Sequence, residues 1–442
     1  MVVFRVSENI NIKTTDGTLV KYLKLKNPSN LLNETVYISS YEDFEDLKRV
    51  FTNVGDNYKA SVIKEMKIRH LSSFPKELGV LNLNEYMIIK NLDLRYEKFK
   101  HVEKKENSFD SLYLNEKKEN LDNQLEGILK EDISLIIIGN PGLTISEMIC
   151  SCTALRILYE KLSKKFKSVK IDIYLNASEN KYYSRDKMIF ANQSFINKVS
   201  ALSIDVKEFC SYDFFIDASS VTKRSYYKNL SHIDAWLYKF GMDYSKISQN
   251  DKYNTINLDS YKVKKELVEK MQNIKLKGKT LLFHPYSADI TKSIPKEIAI
   301  SLLNDLLIKM PDYTIVSAIR IDNKLDDDRY VDLSAYSRNF LDFSYIISNM
   351  SKIFTVNTAT YHLADAFFIP TLVIFTDSKL NENFTKYPLS KVIYVKDKSK
   401  NFSKFIFRNE SLIMHKFKGW AKLKSSKIIK LLETFWYNIV HL

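Results

Sequence analysis

Ser134–Phe166 reads SLIIIGNPGLTISEMICSCTALRILYEKLSKKF. A short apolar run meets a Pro-Gly turn and then apolar residues at helical spacing, which is a buried strand followed by an amphipathic helix. VKIDIYL (169–175) and YDFFIDAS (212–219) are further strands of the same kind. Short apolar strands alternating with helices imply a parallel sheet covered on both faces. The pattern restarts at TLLFHPYS (280–287) and runs through the helix 296–310, the strand YTIVSAI (313–319), the helix 343–350, the strand KIFTVN (352–357), the helix 360–368 and the strand TLVIFT (371–376). Two Rossmann-like halves are therefore expected, facing across a cleft lined by the carboxyl ends of their strands, where open α/β sheets bind ligands.

Outward from these halves the sequence is less regular. Residues 1–130 carry short mixed segments, such as ETVYIS (34–39) and YEDFEDLKRVF (41–51), and a charged stretch at 101–120 that repeats KKEN. They are expected to form an N-terminal module of unreadable role joined by a charged linker. The expected division is 1–130, then a Rossmann-like domain 131–270, a second Rossmann-like domain 271–415 and a basic amphipathic C-terminal helix 416–442.

Composition narrows the function classes. With 442 residues, the chain needs more than one core, and 45% hydrophobic with 27% charged residues belongs to a folded globular protein. Cys150, Cys152 and Cys210 form neither a disulfide framework nor a zinc pattern. The opening residues lack a secretory leader pattern, and no apolar run reaches the length of a membrane helix, so a cytoplasmic location is expected. A net charge of +14 implies an anionic partner or a solvated basic surface. No nucleic-acid reader motif accompanies it. The basic tail allows peripheral contact with an anionic inner membrane leaflet.

Three strand-to-helix turns carry the chemistry. In the first, Glu147 sits at a helix start, where the helix dipole alone would favour a carboxylate. In the second, Ser287, Thr291 and Lys292 supply hydroxyls and an ammonium suited to a diphosphate, or equally to a solvated polar loop. In the third, Asn357, Thr358, Ala359 and Thr360 are small enough for a phosphate to approach a helix N-terminus, and are also ordinary capping residues. His362 lies one step inside that helix, where a lone histidine is more often packed than catalytic. Asp322 follows a strand at the same end of the sheet, as a ribose ligand or as one member of the polar run IDNKLDDDR.

In combination and order these turns resemble glycosyltransferase family nine, the ADP-heptose heptosyltransferases, over roughly residues 135–395. The family's first turn resembles Ser146-Glu147 followed by MICSCTALR; its His-Pro, hydroxyl, Lys, Pro series resembles His284, Pro285, Ser287, Lys292 and Pro295; its Asp-Thr-Gly-Pro-Met-His-Leu signature resembles residues 357–363. YDFFIDAS and SHIDAWLYKFGMD (231–243) also resemble family segments. Glu147 stands where the family has Asp, Asn357 where it has Asp, and Ala359 where it has Gly.

The resemblance implies a GT-B architecture and an inverting transfer of a heptose or related sugar from a nucleotide diphosphate, ADP by preference, to a hydroxyl of a glycolipid, glycan or protein. Glu147 would be the catalytic base; Ser287, Thr291, Lys292, Thr358, Ala359 and Thr360 would hold the donor diphosphate; Asp322 and Asn357 would bind the nucleoside, with His362 in support. No cofactor, metal or nucleic acid is expected. The alternative is a degenerate GT-B protein that binds a sugar or a partner without turnover.

Overall fold

The computed structural model describes residues 1–24, 34–55, 58–66, 74–80, 120–321, 325, 327–376, 386–395 and 419–434. Contacts divide the chain into two compact units, Met1–Lys252 and Tyr253–Leu442.

The first unit opens with β1 (Val2–Val6), the hairpin β2 (Ile10–Lys13) and β3 (Leu19–Tyr22), β4 (Tyr37–Ser39), the hairpin β5 (Thr52–Gly55) and β6 (Tyr58–Ser61), and β7 (Ile63–Glu65). Then come β8 (Lys76–Glu77), β9 (Asp132–Ile138), β10 (Ser168–Leu175), β11 (Lys198–Ala201), β12 (Ile204–Asp205) and β13 (Phe214–Asp217). The Ile145–Ser163 helix joins β9 to β10. A parallel sheet runs β11-β10-β9-β13-β8, beside an antiparallel sheet β12-β4-β1-β7. Consecutive isoleucines at 136–138 are all buried, as a strand covered on both faces requires.

The described residues among 1–130 therefore belong to the first unit and are not separate from it. β8 lies parallel to β13 at the sheet edge, with Phe214 opposite Lys76, and β12 pairs with β4, with Ile204 opposite Ile38. Met1, Val36 and Ile38 share one core cluster with Ile136 and Ile138. Lys239 and Glu77 form a buried ion pair, and the Lys239 ammonium also donates to the Val80 carbonyl at 2.6 Å. Between them Gly79 takes a positive φ, and a Cβ there would lie 1.9 Å from the Lys239 carbonyl oxygen, so only glycine permits the approach.

The second unit contains β14 (Lys279–His284), β15 (Tyr313–Ser317), β16 (Tyr330–Asp332), β17 (Lys352–Val356), β18 (Thr371–Phe375) and β19 (Ser390–Tyr394) in one parallel sheet of order β16-β15-β14-β17-β18-β19. The first unit's boundary falls before Tyr253, not at residue 270, because Asn254 donates from its backbone and side chain to the buried Asp365 at 2.8 and 2.9 Å. Of the expected helix 416–442, residues 416–418 lie outside the described residues and Trp420–Lys422 form a short 3-10 turn. The described helix of this stretch is Ser425–Glu433, and residues 435–442 lie outside the described residues. Ile428, Ile429 and Leu432 are buried in the unit's own core with Trp420. Lys352 and Lys391 donate to the last-turn carbonyls of Leu432 and Leu431 at 2.5 and 3.3 Å, as cations at a helix C-terminus do. The apolar face of Ser425–Glu433 is thereby used within the unit's own core. Among the described residues, no helix is long and apolar enough to cross a membrane.

Candidate functional site

In the second unit the chain leaves β14 and β17, which are adjacent, toward opposite sides of the sheet: β15 and β16 lie beyond β14, and β18 and β19 beyond β17. At such a reversal the loops diverge and leave a crevice at the carboxyl ends, the usual ligand position in an open parallel sheet. The loop after β14 carries Ser287, Thr291 and Lys292, and the loop after β17 carries Asn357 and Thr358. Thr376, just past β18, donates to the Thr291 carbonyl at 2.9 Å and ties the first loop to the same edge. The structure thus gathers every second-unit phosphate candidate at one edge.

Their side chains differ in availability. Asp289 accepts from the Thr291 N–H at 3.0 Å and its hydroxyl at 2.7 Å, so Thr291 is engaged in the turn. Ser287 Oγ accepts the Asp289 N–H at 3.3 Å and keeps its own proton to donate. Lys292 closes the short Ile290–Lys292 helical turn, and its ammonium has no ion-pair partner among the described residues. Thr358 caps the Ala359–Ala366 helix, accepting from the Thr360 N–H. His362 is packed: Tyr387 and the Nδ1 of His362 share a 2.7 Å hydrogen bond, beside the ring of Tyr361. Asp322 lies outside the described residues.

Sequence reasoning did not single out the state of His284. It ends β14, is buried, and has its imidazole pushed down to about 4 by that burial, so it is neutral at neutral pH.

The first unit has a reversal of the same kind between β9 and β13. Thr144 caps the Ile145–Ser163 helix and accepts the Glu147 N–H at 3.3 Å. Glu147 Oε2 reaches back to accept the Leu143 N–H at 2.8 Å and the Tyr227 hydroxyl at 3.3 Å. This is close to a capping box, with the carboxylate returning one residue further than usual. Gly142 makes room for it, since a Cβ there would meet the Met148 nitrogen at 2.8 Å. Burial, then the Glu147 charge, raise the Tyr227 phenol well above its ordinary value, so it stays a donor. Tyr227 in turn stacks on His232 at 4.9 Å. No local signal in the sequence connects Glu147 to a tyrosine eighty positions on.

The same edge is buttressed from the N-terminal residues. Asp43, in the first turn of the Tyr41–Val50 helix, is fully buried and accepts the N–H groups of Ala177 and Ser178 at 2.8 and 2.7 Å, just beyond β10. Burial pushes its carboxyl up to about 7 against these hydrogen bonds. Ser40, which caps that helix, donates to Asn176 at 2.9 Å.

No protein-family model and no curated protein matches the chain. Solved structures do. The structural likeness is to glycosyltransferases of family nine. The family 9 glycosyl transferase from Veillonella parvula DSM 2008 matches with 10% identity and a TM-score of 0.44, over 70% of this chain and 98% of that one. The ADP-heptose LPS heptosyltransferase II of E. coli matches with 12% identity and a TM-score of 0.40, over 65% and 98%. The iron-containing dodecameric glycosyltransferase TibC from enterotoxigenic E. coli H10407 matches with 11% identity and a TM-score of 0.44, over 71% and 78%. At these identities and TM-scores the likeness carries no argument about reaction or substrate.

Proposed function

We propose that the protein is an inverting glycosyltransferase that moves a heptose or related sugar from a nucleoside diphosphate, ADP by preference, to a hydroxyl of a glycolipid, glycan or protein acceptor. One observation carries the reading: the β14/β17 reversal is flanked by the Lys292 ammonium, which has no ion-pair partner among the described residues, a hydroxyl at Ser287 and the start of the Ala359–Ala366 helix. Fixed donors and a cation at that point suit a diphosphate in the ground state and stabilise the charge that grows on it as the sugar departs. In this reading that neutralisation proceeds without a metal. Glu147 at the edge of the first sheet supplies the base that takes the acceptor's proton, through Oε1, the oxygen its capping bonds leave unused.

Calorimetry with ADP tests the donor half. Lys292→Ala removes a charge-assisted bond and should weaken ADP roughly 10- to 100-fold. Equal affinity of parent and variant, or no binding across a full nucleotide panel, overturns it. The rival reading, a sugar- or partner-binding protein without turnover, is favoured by one observation: Glu147 already has a structural task at the helix start. Sugar transfer by the parent chain excludes that rival.

A further inference from the structure

Polar atoms sealed from water without a partner are costly, and a folded protein keeps few of them. Among the described residues, His284 and Thr360 carry such atoms beside the β14/β17 reversal. His284, 6% exposed at the end of β14, has an Nδ1 that meets no donor or acceptor. Thr360, fully buried in the first turn of the Ala359–Ala366 helix, has an Oγ1 in the same condition.

Register puts both on one face. His284 is paired with Thr355 of β17, and paired residues on neighbouring strands project to the same side of a sheet. Phe283, one residue earlier, faces the other way and stacks on Phe354. The imidazole instead lies 5.6 Å from Phe343 of the Phe340–Ser348 helix. The Ala359–Ala366 helix, which brings Thr360, packs against that same helix. Both unmatched atoms therefore sit on one face at the carboxyl edge, beside the start of an eight-residue helix.

We propose that His284 and Thr360 recognise hydroxyl groups of the nucleotide-sugar donor. This rests on the nucleotide-sugar reading of the same edge. A neutral imidazole offers one N–H and one bare nitrogen. Ionised phosphate oxygens only accept hydrogen bonds, whereas a hydroxyl both donates and accepts. The Tyr286 backbone already acts on this ring as a hydrogen-bond partner, opposing the effect of burial, and Nδ1 is the nitrogen still unmatched; a hydroxyl can satisfy it as donor or acceptor, and a hydroxyl can likewise donate to or accept from the Thr360 hydroxyl. A site built this way rejects a ligand lacking the hydroxyl, because its own buried atoms are then left unpaired.

The hydroxyl belongs either to the ribose or to the transferred sugar, and calorimetry separates the two. ADP, 2′,3′-dideoxy-ADP and ADP-glucose are titrated into the parent, His284→Leu, Thr360→Val and Lys292→Ala. Thr360→Val keeps the side-chain shape and removes only the hydroxyl; near-UV circular dichroism and the conservative variants His284→Asn and Thr360→Ser control for folding. Ribose recognition weakens ADP about three- to tenfold in His284→Leu and Thr360→Val and leaves the dideoxy ligand unchanged. Recognition of the transferred sugar weakens ADP-glucose by that factor and leaves ADP unchanged. If both variants bind all three ligands as the parent does, or lose all three alike, the assignment is overturned. Should Lys292→Ala still weaken binding in that case, the nucleotide reading stands without it. If the parent binds no nucleotide, that reading falls, and this assignment falls with it.

Discussion

Glu147→Gln separates two tasks that one side chain is asked to perform. The substitution keeps size and an acceptor oxygen for the Leu143 N–H, now 2.8 Å away, and for the Tyr227 hydroxyl at 3.3 Å. It removes the negative charge from the positive end of a nineteen-residue helix. Losing a charge at a helix start costs about 0.3–1 kcal/mol. Exchanging a charge-assisted bond for a neutral one costs about 1 kcal/mol more. The sum, about 1–2 kcal/mol, is small beside the roughly 5–15 kcal/mol that holds a domain folded, so the variant stays native at assay temperature. A general base contributes about 100-fold or more to the rate, which a loss of that size in stability cannot mimic. Urea unfolding should therefore show a modest fall in midpoint for the first unit, while sugar transfer at saturating donor falls at least about 100-fold with ADP affinity nearly intact. Transfer as fast as the parent's would refute the base assignment and leave Glu147 as a capping residue. An unchanged midpoint would refute the capping argument instead.

Two further expectations concern how the N-terminal residues are joined to the first unit. Lys239→Met strands the buried Glu77 carboxylate and should cost about 3–5 kcal/mol in denaturant unfolding, much of it recovered when Glu77→Leu is added; a double variant as unstable as the single one would count against the pairing. The Asp43 carboxyl titrates near about 7 when folded against 3.8 as its ordinary value. Between those values the folded chain holds a proton that the unfolded chain has released, so this group's contribution to stability is full below about 4 and is lost as pH rises through about 7. Asp43→Asn should accordingly gain stability relative to the parent as pH is raised from about 5 to about 8. A difference between the two that is flat across that range removes the argument.

The parts of the fold that were readable in advance are those whose signal is local. β9, β14, β17 and β18 are runs of buried apolar residues long enough to show their character, and β9, β14 and β17 are each followed by a helix with its own period. β8 and β12 have two residues each, too few for any periodicity, and their existence depends on partners far along the chain: Lys76 lies opposite Phe214, and Ile204 opposite Ile38. This is why residues 1–130 read as a separate module although their described strands β8 and β4 pair with the first unit's strands and Met1, Val36 and Ile38 share its core. The early boundary of the second unit was hidden for the same reason. Asn254 belongs there through its bonds to Asp365, 111 positions away, and nothing between them in the sequence announces it.

The candidate site divides along a different line. Periodicity locates strand ends, and strand ends locate loops, so the placement of Ser287, Lys292 and Thr358 at one edge follows from the same signal that reveals the sheet. What a sequence does not express is which polar atoms are already matched. Thr291 and Thr358 each look available for a phosphate, yet one is engaged with Asp289 and the other caps its helix. His362, for which packing is the commoner expectation, is committed to Tyr387. His284, which the sequence marks only as part of a His-Pro motif, is the residue whose ring nitrogen goes unmatched. Matched atoms contribute mainly to stability, and unmatched buried ones impose a cost that only a ligand or water can remove. In the proposed reading, the weight of donor recognition therefore shifts from the hydroxyls around residue 291 toward Lys292, His284 and Thr360. A variant series should reflect that order: Thr291→Val, which loses a bond internal to the turn, should lower stability more than it lowers nucleotide affinity, whereas Lys292→Ala should do the reverse. Calorimetry and thermal unfolding on the same two samples decide it, and a Thr291→Val whose ADP affinity falls as far as that of Lys292→Ala would show that the turn's hydroxyl, and not the Lys292 ammonium, holds the donor.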